Sequence, residues 1–370
     1  MKIAVVTSIK APYRTLQLEE VCRNKSIDMS VYYTKRGKED RDWEVNNTNI
    51  FKEIYLENIK AFDKYGTLNK GLKEIVKNND IIFIGGYDKP TYIILSLLCR
   101  FYKKPYVIIF DGISCDRLTT KENILKKLIK NLVIKHSSAI WGNGTVSRRY
   151  FNEVFNYPVE KIYNQYLTID GERIKSIGED KDYIRKKLRV KYGIAEDEKV
   201  LQYSGRIVDV KNLKVVVEAI SKIKDSKITL FITGGGIQEE ELKILAKELS
   251  VKLIITGFIN NQDELFTNYY VSDVFILPSR YEPWGLVVNE AMFAGLPILV
   301  SHLCGCSLDF IKSNNGYVIN PFSIEDIEYK IKMIVSECDL ISMGRSSKEI
   351  IGEYSFVNSS KSFNNIINSL

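Results

Sequence analysis

The chain has 370 residues, of which 45% are apolar and 27% charged, a balance that suits folded domains rather than a disordered segment. That length has room for two cores. No apolar run reaches the roughly 18 to 20 residues that span a bilayer, and the strand-like start Met1–Thr7 is too short for a signal peptide, so a cytoplasmic protein is expected.

The net charge of +7 is uneven: residues 1–170 hold 28 Lys and Arg against 19 Asp and Glu, whereas residues 171–370 hold 25 against 27. The basic first half suggests an anionic partner such as a membrane surface or a phosphorylated acceptor, with a plainly solvated basic surface as the alternative. Six cysteines are scattered and there is no C-x-x-C, so the sequence gives no support for a metal site.

Short apolar runs alternate with helical-period segments, the pattern of parallel α/β domains. In chain order the first series of predicted strands is Ile3–Thr7, Met29–Tyr33, Ile81–Gly85, Tyr106–Phe110 and Ala139–Gly142. Lys35–Arg41 is a charge-rich predicted loop, and Gly85-Gly86-Tyr87 is a turn at a strand end, read mainly as a plain turn and alternatively as an acceptor contact. The stretch Ile124–Lys135 mixes lysines with apolar residues at helical spacing. It is read as an ordinary helix that packs its apolar face on the sheet, with its lysines bringing the acceptor site near a membrane; resting on anionic lipid is the alternative.

A second series follows a charged helical segment near Asp180–Tyr192: Lys199–Tyr203, Ile228–Thr233, Leu253–Thr256, Val274–Leu277 and Ile298–Val300. Asp180-Lys181-Asp182 has the look of a metal-binding D-x-D, but it precedes a charged helix rather than following a strand, so helix capping is the better reading. Two series imply two Rossmann-like domains, 1–170 and 171–354, facing across a cleft. The last helix, about 355–370, either completes the second domain or returns to the first.

The chemistry concentrates in the second domain. Glu282 and Glu290 stand on either side of Gly285, which opens a helix whose first turn, at Leu286 and Val287, offers unpaired N–H groups to an anion. Upstream, Gly205-Arg206 ends a strand and Lys211 follows as a helix begins, so two cations converge on one loop where a diphosphate would be neutralised.

Gly205-Arg206 with Lys211, Thr233-Gly234-Gly235-Gly236, Thr256-Gly257-Phe258 and Glu282-x7-Glu290 resemble the retaining glycosyltransferases of family 4, the group 1 glycosyltransferases, which have the GT-B fold. The resemblance is specific over about residues 199–320 and loose before residue 170. It implies that Arg206 and Lys211 bind the donor diphosphate as it leaves, that Glu282 bonds the transferred sugar, and that Glu290 bonds the nucleoside ribose. Backbone groups of Leu286 and Val287 would complete the phosphate site, with Gly257, Phe258 and Ile259 against the base. The family often has a histidine after the fourth strand of its first domain, where this chain has Asp111; that aspartate either bonds a sugar hydroxyl or orients the acceptor, or simply ends the strand. In place of the family's glycine pair in the first loop stand Lys10-Ala11-Pro12-Tyr13-Arg14, and Lys10 and Arg14 are candidates to supply charge or bind acceptor. Cys304-Gly305-Cys306 falls where the family has small residues and reads as a tight turn near the donor.

The resemblance implies a metal-independent transferase that needs no cofactor, takes a UDP- or GDP-linked sugar as co-substrate, and acts on a saccharide or lipid-linked glycan in cell-surface polysaccharide biosynthesis, at the inner face of the membrane or free in the cytoplasm. No nucleic acid is expected. The rival readings are a non-catalytic partner with the same fold and another GT-B enzyme such as a nucleotide-sugar epimerase.

Overall fold

The computed structural model describes residues 1–23, 27–36, 48–59, 67–120, 122–224 and 227–370. The predicted loop Lys35–Arg41 lies outside the described residues beyond Arg36. The chain divides into two compact units, one made of Met1–Gly112, Asp116–Leu167 and Tyr354–Leu370, the other of Ile113–Cys115 and Thr168–Glu353.

In the first unit seven parallel strands, β1 (Lys2–Thr7), β2 (Asp28–Tyr33), β3 (Lys52–Tyr55), β4 (Ile81–Ile84), β5 (Tyr106–Phe110), β6 (Ala139–Gly142) and β7 (Ile162–Asn164), lie in the order β3-β2-β1-β4-β5-β6-β7. Ile3–Val6 and Ile82–Ile84 are wholly buried, as expected of strands covered on both faces by helices. The chain's last helix, Phe356–Ser369, packs against helix Pro12–Arg23 of this unit. Its Phe363 ring stacks on Phe83 at 4.3 Å and meets the edge of Trp141 at 5.2 Å. Burying one such ring is worth about 1.5–3 kcal/mol. The helix looks polar in sequence because its buried face carries serines, and these have partners: Ser359 Oγ donates to the Gln165 carbonyl at 2.5 Å and accepts from Gln17 Nε2 at 2.6 Å.

The helix Ile124–Ile134 departs from expectation. Only Val133 and Ile134 are buried, while Ile124, Leu125, Leu128, Ile129 and Leu132 are exposed, so its apolar stripe points outward instead of onto the sheet. Periodicity shows that a helix is two-faced but not which face meets the core. No helix among the described residues is long and apolar enough to cross a membrane.

In the second unit six parallel strands, β8 (Lys199–Ser204), β9 (Ile228–Thr233), β10 (Lys252–Ile255), β11 (Val274–Leu277), β12 (Ile298–Ser301) and β13 (Gly316–Ile319), lie in the order β10-β9-β8-β11-β12-β13. Asp273 fastens helix Lys181–Lys191 to the start of β8: its carboxylate takes Arg185 Nη2 at 2.7 Å, Arg189 Nη2 at 3.0 Å and the Val200 N–H at 2.7 Å. The expected cap by Asp180 is not made, because a 3₁₀ turn over Gly178–Asp180 runs straight into that helix and no side-chain cap bond forms.

Both sheets grow outward from their first strand in two directions. The order therefore reverses between β1 and β4 in the first unit and between β8 and β11 in the second. At such reversals the flanking loops diverge beyond the carboxyl ends of the strands and leave a crevice for ligands.

Candidate active site

The crevice of the second unit is bounded by the loops after β8 and β11, and three glycines set its floor. Gly205 and Gly234 both have φ of +136°, and a Cβ on Gly234 would lie 2.1 Å from the Gly205 carbonyl oxygen. Only glycine lets the ends of β8 and β9 approach so closely. Backbone bonds then lace the loops together, Gly205 N–H to Thr233 O at 2.9 Å and Ile207 N–H to Gly235 O at 2.9 Å, and Gly234 pairs with Gly257 after β10. Gly257 has φ of +76°, and Phe258 beyond it is exposed beside the half-buried Ile259.

Arg206 is exposed at the end of β8, its carbonyl accepting from the buried Tyr203 hydroxyl at 2.9 Å. Lys211 closes a 3₁₀ turn, Asp209–Lys211, after which Asn212 takes a left-handed conformation and donates to Pro321 O at 2.7 Å. This turn aims the Lys211 ammonium at the loop after β11, where it forms an ion pair and hydrogen bond with the Glu282 carboxylate. Glu282 is held in turn by Cys304-Gly305-Cys306: Gly305 N–H donates to Glu282 O at 2.9 Å and Cys306 N–H to Trp284 O at 3.3 Å. A Cβ on Gly305 would meet Pro283 O at 2.0 Å, so the tight turn itself requires glycine there. Both neighbouring thiols are buried, and burial pushes them well above the ordinary thiol range.

Gly285, with φ of +101°, opens helix Leu286–Ala294, and no side chain caps it. The amides of Leu286 and Val287 lie in its first turn, where the donors have no acceptor within the helix. The glycine stands against the Glu282 side chain, so that a Cβ added to Gly285 would lie 3.4 Å from Glu282 Cγ. One turn further on, Glu290 is half-buried and accepts from the Tyr269 hydroxyl at 2.6 Å. Burial raises its carboxyl to about 7, against a lowering by the Tyr269 hydrogen bond. Tyr269 carries no sequence signal; it sits in a turn before β11 and is visible only in three dimensions.

Residues 184–345 match the Glycosyl transferases group 1 family. Over that segment the chain is similar to the group 1 glycosyl transferases. Over 233 residues the chain is 30% identical to an uncharacterized glycosyltransferase of Methanocaldococcus jannaschii, covering 60% of this chain and 58% of that protein. Over 190 residues it is 29% identical to a lipopolysaccharide 1,2-N-acetylglucosaminetransferase of Salmonella typhimurium, covering 48% and 50% of the two. The chain thus spans little more than half the length of these relatives. Among solved structures, Anabaena HepE in complex with UDP superposes with a TM-score of 0.75 at 15% identity over 100% of both chains, and HepE has also been solved with UDP-glucose. The fold is GT-B.

The second unit brings together Lys211, Glu282 and the Gly285–Val287 turn in one place, and Glu290 with Tyr269 one helical turn away. Asp111 belongs to the other unit. There it follows β5 and faces a pocket of about 280 Å³ at the β1–β4 reversal, lined also by Thr7, Gly86, Tyr87, Asp88 and Lys89. Its carboxylate accepts from Tyr13 Oη at 3.0 Å and Gln165 Nε2 at 3.3 Å and pairs with Arg14, yet stays 45% exposed. Lys10 and Arg14 both have acidic partners inside this unit. Lys10 pairs with Glu53 at 2.8 Å, and the buried Arg14 holds Asp111 and Gln165.

Proposed function

We propose that the protein is a retaining glycosyltransferase that moves a sugar from a nucleoside diphosphate to a hydroxyl of a saccharide or lipid-linked glycan, in the assembly of a cell-surface polysaccharide on the cytoplasmic side of a membrane. The observation that carries this reading is the Lys211–Glu282 pair beside an uncapped helix N-terminus at the sheet reversal. In the reaction the bond from the anomeric carbon to the diphosphate oxygen breaks, and a bond to the acceptor oxygen forms on the same face. The acceptor proton passes to the departing phosphate oxygen.

Negative charge grows on that phosphate, so donors aimed at it contribute most to lowering the barrier. Lys211, Arg206 and the amides of Leu286 and Val287 are the groups for this task. Glu282 then accepts from the sugar hydroxyls, and Glu290 from the ribose. The loop Gly257-Phe258-Ile259 lies against the base, and Gly205 leaves room for the phosphates. Asp111, whose carboxylate is held by Arg14 and Tyr13, bonds an acceptor or sugar hydroxyl in this reading. No cofactor or metal ion takes part. The complexes of HepE with UDP and UDP-glucose support a uridine donor, and the Salmonella relative's name supports a glycan acceptor.

Hydrolysis of a panel of UDP- and GDP-sugars, followed by mass spectrometry, tests the reading. Turnover that disappears in Lys211→Ala is the expected result. No turnover with any donor, in a chain that folds normally, would instead make the protein a non-catalytic partner of another transferase.

A further inference from the structure

Helix Ile124–Ile134 is inverted. At about 100° per residue, the exposed Ile124, Leu125, Leu128, Ile129 and Leu132 fall within one outward stripe, between 40% and 78% exposed, while the inward side carries Val133, Ile134 and Lys130. Single exposed apolar residues are ordinary on protein surfaces, but five on three turns of one helix form a patch that water does not favour. The neighbouring helix Pro90–Phe101, packed against it, adds exposed Leu97 and Phe101.

The charged residues of the helix itself have one sign. Lys126, Lys127 and Lys135 are exposed beside it, and Ile124–Lys135 contains no acidic residue. A soluble protein partner of any composition could cover apolar side chains, but an apolar stripe on a helix whose charged residues are all lysines complements a surface with a hydrocarbon interior and an anionic face. We infer that this helix lies in the interface of an anionic lipid bilayer, with its five apolar side chains among the acyl chains and its lysines at the headgroups.

The inward side of the helix connects the surface to the pocket. Lys130 pairs with Glu122, and its ammonium lies 5.4 Å from the centre of the Tyr87 ring. Tyr87 is buried, stacks on Phe110 at 5.5 Å, and lines the pocket that Asp111 faces. A bilayer on this helix would be linked through the helix, Lys130 and the Tyr87 ring to the acceptor-side pocket of the first unit, which suits an acceptor whose glycan is anchored in that bilayer. This consequence for the acceptor rests on the transferase reading; the lipid contact does not.

The test is sedimentation of the full chain with phosphatidylcholine vesicles, with and without phosphatidylglycerol. The chain should pellet with the anionic vesicles and stay in solution with the neutral ones. The triple variant Leu125→Ser, Leu128→Ser, Ile129→Ser should need at least about tenfold more lipid for half binding, with its melting temperature and lipid-free donor hydrolysis unchanged. Lys126→Glu with Lys127→Glu should weaken binding to the anionic vesicles without touching the apolar stripe. A wild-type chain that ignores anionic vesicles, or a triple variant that binds like wild type, overturns the inference. So does a dimer in sedimentation equilibrium that the serine substitutions dissolve, since the stripe would then be covered by a second copy. Vesicle binding by a chain that turns over no donor would leave the lipid contact standing and remove only the transferase reading.

Discussion

Lys211 and Glu282, 71 residues apart in the chain, neutralise one another in a largely buried ion pair at the point where the second sheet reverses its strand order. Without ligand each is the other's partner. In the proposed reaction a diphosphate arriving beside Gly285 would compete for the ammonium, and sugar hydroxyls would then give the carboxylate new donors. The pair would keep both groups positioned before a donor binds, leaving little reorganisation for that reaction.

Lys211→Ala should lower kcat by about 10²–10³, the usual effect of removing one donor to a developing oxyanion. It also strands Glu282 beside the phosphate site, so donor affinity should fall as well. Lys211→Ala combined with Glu282→Gln removes the stranded charge, and isothermal titration with UDP should find affinity partly regained while kcat stays low. Equal kcat in wild type and Lys211→Ala would remove Lys211 from the chemistry.

Glu290 should make nucleotide binding depend on pH. With its folded-state pKa at about 7, the carboxyl is partly protonated near neutrality, and ribose hydroxyls that donate to it favour the charged form. UDP binding near pH 7 should therefore release protons, and affinity should rise as pH rises through that range. Titration calorimetry in buffers of differing ionisation enthalpy measures the release. Because the Tyr269 hydroxyl lowers the Glu290 pKa, Tyr269→Phe should move the midpoint upward. The stability sign is fixed by the same shift. A carboxyl raised from 4.5 to about 7 contributes stability in full below its unfolded value, and loses it as pH climbs through the folded one.

The strands of both sheets were largely legible because buried parallel strands are short apolar runs, as Ile81–Ile84 and Val274–Leu277 show. The strands that escaped notice have reasons of their own. β3, Lys-Glu-Ile-Tyr, is an edge strand with charged residues, β7 spans just three residues at the opposite edge, and β13, Gly-Tyr-Val-Ile, is a short edge strand of the second sheet opened by a glycine. In the candidate site, Lys211, Glu282, Gly285 and Glu290 could be named from their spacing around predicted strand ends. That Lys211 turns onto Glu282 could not, since it depends on the left-handed Asn212 and on the Cys304–Cys306 turn behind Glu282. Tyr269 and the Arg14–Asp111–Gln165 network are contacts between distant segments with no motif, and the direction of the Ile124–Ile134 stripe depends on what the helix packs against.

Gly234→Ala should disrupt the donor loops more than its size suggests. The new methyl group would lie 2.1 Å from the Gly205 carbonyl, with φ at +136° where L side chains are rarely found. Such backbone strain alone costs about 1–3 kcal/mol, and relieving the clash must separate the ends of β8 and β9. Thermal melting should show the loss of stability, and UDP binding should weaken beyond what the melt accounts for. An alanine variant with unchanged UDP affinity would mean that the close approach of these loops has no part in holding the donor.

Asp273 offers a stability test away from the site. Its carboxylate is shared by Arg185, Arg189 and the Val200 N–H, and Arg189 is buried, which by itself disfavours its charge. Asp273→Ala leaves the Arg189 guanidinium buried with only backbone carbonyls such as Ala195 O, at 2.7 Å, to accept from it. Breaking a buried pair from one side typically costs about 3–5 kcal/mol, which in a unit of this size lowers the melting temperature by about 6–20 °C. Replacing both partners, with Asp273→Leu and Arg189→Met, should recover much of that loss, because the buried Arg189 charge is gone and the partly exposed Arg185 keeps its bonds to the Val271 and Ser272 carbonyls. Calorimetric melting of the single and double variants decides it. If the double variant melts as low as Asp273→Ala, the clamp matters through its bond to the Val200 N–H, which ties the strand preceding the donor loop to the helix beside it.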